Sequence, residues 1–332
     1  MELKQKVVNF IKLFFMPPSY RFKIIILDFL GINIFRIFIY KISYFLRGLF
    51  LWKKLDLILK KNSDDINKLE KDGIIISEDF FSKSEFKKIE KLIRDIFTGI
   101  EHGKYRSSGG KIKTVSIGSD ELCQKRKYIY DKFLKNDRVR DLVTYNMRPF
   151  IFHPNRVVLQ EIYIPKNVKD LNDILHVFHA DRYFNHLKFF YYVNDQSEKN
   201  GAYLFSKGSH KVSSFYRYLY EYESAFRASK NSFFKLIGLK SDRYNVSGYD
   251  SLKPFFKKKL QIKSSSINAK KNSLVISNNS GFHSRGKMEP NSKRIQVRLQ
   301  FQYLEIGIIR SLILFILKMI NPKIVNVLND GR

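Results

Sequence analysis

Only one cysteine, Cys123, occurs in the 332 residues, which excludes an intramolecular disulfide and any cysteine-based zinc cluster and fits a reducing compartment. Acidic residues are scarce too. Thirty-one Asp and Glu stand against 61 Lys and Arg, a formal charge of +30 at pH 7, and such an excess points to a polyanionic neighbour, nucleic acid or an anionic membrane surface. Lys, Ile, Asn and Phe are abundant together, as biased codon composition would also produce, so charge alone assigns no function. No nucleic-acid-binding motif is recognisable and the basic residues are spread along the chain, which argues against nucleic acid.

Long apolar runs are missing as well. No stretch reaches the roughly 18–20 residues that span a bilayer, because Asp28, Arg36, Lys41 and Arg47 keep intervening. The apolar run from Val7 to Met16 is broken by Lys12 and is followed by no small-residue cleavage site, so the expectation is a cytoplasmic protein, with the inner face of a membrane as a candidate location. A hydrophobic fraction of 44% is ample for a core, and disorder is not expected.

The chain divides into three regions. Residues 1–65 carry bulky apolar residues beside recurring Lys and Arg, the pattern of basic amphipathic helices. The segment 306–332 begins "IGIIRSLILFILKMINPK" and has the same chemistry. Core packing and interfacial binding to anionic lipid account equally well for both. Between them, 66–305 opens with "DGIIISEDFFSKSEF", where Ser82 and Glu85 form a capping-box pattern ahead of a helix. After about Leu142 short β-rich runs dominate ("RVVLQEIYI", "LKFFYYVND", "SLVISNN", "RIQVRLQFQY"), implying an antiparallel sandwich or barrel with flanking helices, mainly β with α. The aromatic, basic stretch 211–262 reads as an insertion over its mouth, a lid.

His179 and Asp181 are two residues apart. On a strand they face the same way, so an imidazole and a carboxylate converge. His283, about a hundred residues on, would complete two histidines and one carboxylate on one side of a metal, leaving three coordination positions open, as non-haem Fe(II) requires to bind a chelating oxoacid and dioxygen. After His283 the strand alternates, with Ile295, Val297, Leu299 and Phe301 on one face and Arg294, Gln296, Arg298, Gln300 and Gln302 on the other. A polar face on so strongly β-forming a strand suggests a cavity lining, and arginine's fork suits a carboxylate. The remaining nearby histidines, His176, His186 and His210, read as surface or packing residues. The run Phe189 to Tyr192 reads as core on one face and cavity wall on the other.

Together these blocks, from about Asp72 to Tyr303, resemble the phytanoyl-CoA dioxygenase-like branch of the Fe(II)- and 2-oxoglutarate-dependent oxygenases. The resemblance is carried by "DGIIISEDFFSKSEF", "HAD", "LKFFYYVND" with "NGAYLFSKGSHK", "KKNSLVISNNSGFH" and "HSRG" in that order. It implies a double-stranded β-helix, a jelly-roll or cupin-like core, with helical additions at both ends. It further implies iron held by His179, Asp181 and His283, with Arg294, eleven residues after the second histidine, anchoring 2-oxoglutarate. Arg298 is the alternative anchor, since other oxygenases of the superfamily place their arginine later; the two are roughly 13 Å apart along a strand and cannot grip one carboxylate together. Gln160 is similar in position to a glutamine that contacts the co-substrate in some relatives. Where the family often has a hydroxyl residue two places after the distal histidine, this sequence has Arg285, and Ser284 before it.

The implied activity is hydroxylation of a small-molecule, lipid- or glycan-linked substrate, using Fe(II), 2-oxoglutarate and O2 and releasing succinate and CO2. Halogenation is not expected, because Asp181 occupies the position that chemistry needs vacated. The competing expectation keeps the fold and drops the catalysis, leaving a silent β-helix that binds a ligand or a membrane surface.

Overall fold

In the computed structural model the described residues are 41–42, 44–49, 51–100, 104–105, 111–117, 124–148, 154–169, 176–181, 186–211, 214–221, 223–224 and 253–301. The first forty residues of the N-terminal amphipathic region, the C-terminal segment 306–332 and most of the insertion 211–262 lie outside them.

Two short helices, α1 (Trp52–Lys61) and α2 (Ser63–Asp72), come first, and α2 ends at Gly73 in the left-handed conformation, φ 77°. That glycine turns the chain directly into β1 (Ile74–Ser77). Ser82 caps the next helix, as read: its hydroxyl accepts from the Glu85 backbone N–H at 3.3 Å, starting α3 (Lys83–Thr98), which satisfies one otherwise orphaned donor of the first turn, while the Glu85 carboxylate pairs with Lys132. There follow β2 (Lys104–Tyr105), β3 (Lys111–Ile117), α4 (Gln124–Leu134) and α5 (Asp137–Met147). The rest is almost all strand: β4 (Pro154–Tyr163), β5 (Leu187–Tyr192), β6 (Tyr203–Phe205), the short helix α6 (Pro254–Lys259), β7 (Ser265–Ile267), β8 (Ser273–Asn278), β9 (His283–Arg285) and β10 (Lys293–Phe301).

The strands form two sheets. A seven-stranded one has the order β1-β8-β5-β10-β4-β3-β2 and a three-stranded one the order β7-β6-β9, every pair antiparallel. An isolated bridge between His179 and His283 adds a further rung to the small sheet. Along the chain the path therefore alternates, from β4 in the large sheet to His179 beside the small one, back to β5, across to β6 and β7, back to β8, across to β9 and back to β10. Such winding between two facing sheets defines a double-stranded β-helix.

Period-2 alternation decides which side chains go where. One face of the large sheet packs Val157, Leu159, Phe189, Tyr191, Leu274, Ile276, Ile295, Val297 and Leu299 against Ile89, Ile93, Phe133 and Leu142 of the helices, forming the main core. The other face turns Phe190 and Tyr192, with Val275 of the same sheet, towards Tyr203 and Phe205 of the small sheet. This inner face also carries the polar residues of β10. Because this face lies under Tyr203, His283 and Arg285 of the small sheet, Arg294 and Gln296 are buried rather than solvated.

Candidate metal centre

The three residues singled out as ligands meet. His179 and His283 exchange two backbone hydrogen bonds, N–H to C=O at 3.0 and 2.9 Å, which sets their rings side by side with centroids 4.6 Å apart. Asp181 reaches the same point because its own N–H donates to the Asn279 carbonyl at 3.0 Å. Its Oδ1 then lies 3.7 Å from His179 Nε2 and 3.6 Å from His283 Nε2, and one ligand atom from each of the three falls within 4.8 Å of the others.

The orientation of each ring is fixed from behind. His179 Nδ1 bonds the Val177 carbonyl at 2.7 Å and His283 Nδ1 bonds the Gly281 carbonyl at 3.0 Å. A carbonyl can only accept, so both rings carry the proton on Nδ1 and present the Nε2 lone pair to the shared point, as metal-ligating histidines do. Burial, with the neighbouring His283 ring second, pulls the His179 pKa down to about 3, so the ring stays neutral and able to ligate at any physiological pH. Burial alone would raise Asp181, but the Lys188 ammonium and the His283 ring outweigh it and hold the carboxyl well below the usual range.

Two residues that sequence reasoning did not single out complete this shell. The Lys188 ammonium pairs with Asp181 Oδ2, and Asn279 Nδ2 donates to the same oxygen at 3.1 Å. With Oδ2 held in this way, Oδ1 is the oxygen left facing the two imidazoles, which favours monodentate ligation. Asn279 is itself held by Ser277 Oγ at 2.6 Å and the Tyr203 hydroxyl at 3.2 Å, both donating to its Oδ1. Its Nδ2 also approaches His283 Nε2 at 2.8 Å; a bound metal would take that lone pair and leave the amide its bond to Asp181. The one available signal for Lys188 was alternation, which sends it to the same side as Phe190 and Tyr192. Nothing in the local sequence marks Asn279, whose part depends on a contact across 98 residues.

A cavity of about 150 Å³ opens beside the three ligands. Arg294, Gln160, Ser284 and Arg298 all line it, together with Phe190, Tyr192, Tyr203, Arg285 and Gln296. On its floor Gln296 Nε2 donates to Gln160 Oε1 at 2.9 Å, and Arg294 Nη1 donates to the Gly201 carbonyl at 2.6 Å. The register places Arg294 opposite Ile162, Gln296 opposite Gln160 and Tyr192, and Arg298 opposite Val158 and Phe190, so the two arginines stand at different ends of one row. His210 lies elsewhere, its Nε2 bonded to the Glu70 carbonyl at 3.0 Å, whereas His176 Nε2 takes a hydrogen bond of 2.9 Å from Arg285 of the cavity wall.

Behind the loop that leads into His283, Arg217 is fully buried. It pairs with Glu221 at 3.1 Å, donates from Nη2 to the Ser280 carbonyl at 2.5 Å and stacks over Phe282. The root of the insertion is thus tied to the strand that supplies a candidate ligand.

Fold and donor set together define a double-stranded β-helix with a His-Asp-His site suited to Fe(II), because two imidazoles and one carboxylate leave an open face for exogenous ligands. No family model matches the chain, and no curated protein does. Among solved structures it is similar to the epimerase SnoN in complex with Fe3+, alpha ketoglutarate and nogalamycin RO, with TM-score 0.47 and 12% identity over 71% of this chain and 81% of that one. It is similar in the same way to EctD from S. alaskensis with 2-oxoglutarate and 5-hydroxyectoine (0.47, 12%, 71% and 74%). HygX from Streptomyces hygroscopicus with nickel and 2-oxoglutarate bound gives 0.41, 13%, 71% and 85%. At such values the fold assignment rests on the strand topology and the site on its own geometry.

Proposed function

We propose that the protein is an Fe(II)- and 2-oxoglutarate-dependent dioxygenase that hydroxylates a small-molecule, lipid- or glycan-linked substrate. The observation that carries this reading is the meeting of three ligand atoms within 4.8 Å beside a cavity that also contains Arg294. His179, Asp181 and His283 would hold the iron, and Arg294 would pair with the distal carboxylate of the co-substrate. Bound there, the iron with 2-oxoglutarate and O2 supplies insertion of one oxygen atom into a C–H bond, the other leaving in succinate as CO2 is lost.

The remaining side chains have simpler tasks. Gln160 and Gln296, bonded to each other, floor the cavity between the metal end and Arg294. The rings of Phe190, Tyr192 and Tyr203 line the walls, keeping water from the reacting centre. Burial raises the phenols of Tyr192, to about 12, and of Tyr203 well above its ordinary value, so neither presents a negative charge to the site.

Anaerobic addition of Fe(II) and 2-oxoglutarate should produce a visible charge-transfer band. His179→Ala should abolish metal binding and the band; succinate formation at the native rate by that variant refutes the ligand assignment. Arg294→Gln should weaken 2-oxoglutarate binding about tenfold or more, as expected for a charged hydrogen bond. If Arg298→Gln has that effect instead, Arg298 is the anchor.

A membrane surface as partner is supported by the described residues between 41 and 60. Phe45, Leu49, Trp52 and Leu57 are exposed there beside Lys53, Lys54 and Lys60, the composition of an interfacial helix. Arg47, Leu55 and Ile58 of the same stretch are buried, so one side packs on the domain and the other is presented outward. No helix among the described residues is long and apolar enough to cross a membrane.

A further inference from the structure

Among the described residues, the large apolar side chains left exposed are concentrated. Apart from Ile76 and Val177, all of them lie between Ile42 and Leu57 or at the root of the insertion, where Phe215, Tyr218 and Phe255 are 69%, 51% and 53% exposed. Single exposed apolar residues are ordinary on a protein surface, whereas a cluster rimmed by charge marks a contact. The two groups are neighbours. Lys41 Nζ lies 3.6 Å from Glu221 and 4.2 Å from the centre of the Tyr218 ring, and Ile42 and Phe45 follow Lys41 on the same helical stretch.

The exposed rings form the outer layer of a stack that leads to the candidate ligands. Phe255 meets Phe256 at 5.3 Å, Phe256 meets Tyr220 at 5.7 Å and Tyr220 meets Phe282 at 4.9 Å, centroid to centroid. Phe282 precedes His283, and Ala180 of the same buried cluster stands between His179 and Asp181. Neighbours of a ligand on an extended chain point away from the side the ligand faces, so the stack covers the back of the ligand segments and leaves the cavity to the other side. The lysines around its outer layer give that surface one sign of charge. Glu221 and Glu223 are each paired, with Lys41 and Lys253, and Lys257, Lys258 and Lys259 of α6 are exposed beside Phe255. Exposed rings among lysines suit the boundary of an anionic bilayer, where the rings enter the edge of the acyl region and the ammonium groups meet lipid phosphates. A second copy of the chain is the poorer occupant, since it would bring two basic faces together.

We propose that the root of the insertion is a second bilayer contact: Phe215, Tyr218 and Phe255 enter the surface of an anionic membrane together with the exposed side of residues 42–57, and the back of the ligand segments lies towards the lipid. This surface extends the membrane contact inferred for residues 41–60 and rests on that reading. A domain held at one helical stretch can swing about it. Held at two neighbouring points, it lies on the membrane in one orientation, with a single layer of rings between the lipid and the segments that carry His179, Asp181 and His283.

The test uses the full chain and vesicles of phosphatidylcholine with phosphatidylserine at physiological salt, some of them with brominated acyl chains, which quench a tryptophan only on contact. Trp52, the only tryptophan, reports on the N-terminal face. Combining Trp52→Phe with Phe215→Trp moves the reporter to the insertion root. Quenching of both reporters is expected. Phe215→Ser with Phe255→Ser should weaken vesicle binding about tenfold or more, and Phe215→Leu with Phe255→Leu should weaken it less, because apolar surface is kept. The reporter variant carries the test should the serine variant not fold. Lys257→Ala with Lys258→Ala should lower binding to these vesicles about tenfold and leave the weaker binding to phosphatidylcholine alone unchanged. Quenching of Trp52 with none at position 215 would overturn the proposal and leave the membrane reading of residues 41–60 standing; quenching of neither would end both. Vesicle binding undiminished in the serine variant would overturn the proposal too, as would a dimer that forms without lipid and dissociates in that variant, which would assign the face to a second copy of the chain.

Discussion

Each candidate histidine ligand is oriented by the carbonyl two residues before it, Val177 for His179 and Gly281 for His283, so short backbone geometry dictates which nitrogen is offered. Spacing made the pair His179 and Asp181 legible from the sequence, because two residues on an extended chain must share a side. Lys188 and Asn279 were not legible as partners of Asp181: their contact exists only once β5 and β8 are paired and the loop after β8 folds back. His210 illustrates the other fate of a histidine. It is buried, its Nε2 bonds the Glu70 carbonyl, and burial pulls its pKa down to about 4. With the folded value below the ordinary one near 6.5, falling pH protonates the unfolded chain first. The neutral ring's contribution is complete above about 6.5 and is lost progressively down to about 4. Between pH 7 and pH 5 the native protein should therefore lose roughly 2 kcal/mol more unfolding free energy than His210→Gln, measured by denaturant titration at both pH values; equal losses would remove His210 from the account.

At the scale of elements, α3 and β10 were readable for different reasons. The start of α3 is encoded locally by Ser82 and Glu85. In β10 the alternation identified two faces, but it could not say whether the polar one met water or a cavity. The small sheet facing it decides that, closing a cavity over Arg294 and Gln296 with Tyr203, His283 and Arg285. The junction of α2 and β1 depends on Gly73, which adopts φ 77° and would place a Cβ 2.4 Å from His210 Nδ1. Gly73→Ala combines left-handed backbone strain with a clash against a packed ring, and should cost about 2–4 kcal/mol. Denaturant midpoints are the check, and combining it with His210→Ala should recover the part due to the clash.

At the scale of the whole molecule, the charge of +30 attracts any anionic surface, so electrostatic binding alone would not identify a docking face. Trp52 provides a sharper readout, being the only tryptophan in the chain and 61% exposed. Its emission should shift to the blue on anionic vesicles at physiological salt, where surface charge attraction is screened beyond about 8 Å, and Leu49→Ser with Leu57→Ser should diminish the shift. An unchanged spectrum with vesicles demonstrably bound would assign the contact to another surface. By itself the sequence determined the start of α3, the runs that form β4, β5, β8 and β10, the two faces of β10 and the shared side of His179 and Asp181, because these follow from spacing along one extended or helical segment. Tertiary structure alone decided that His283 would stand beside His179, that the polar face of β10 would floor a cavity shared with Tyr203, and that Lys188 and Asn279 would hold the outer oxygen of Asp181. Those relations join residues on different strands, and strand pairing across two sheets has no counterpart in the local order of the chain.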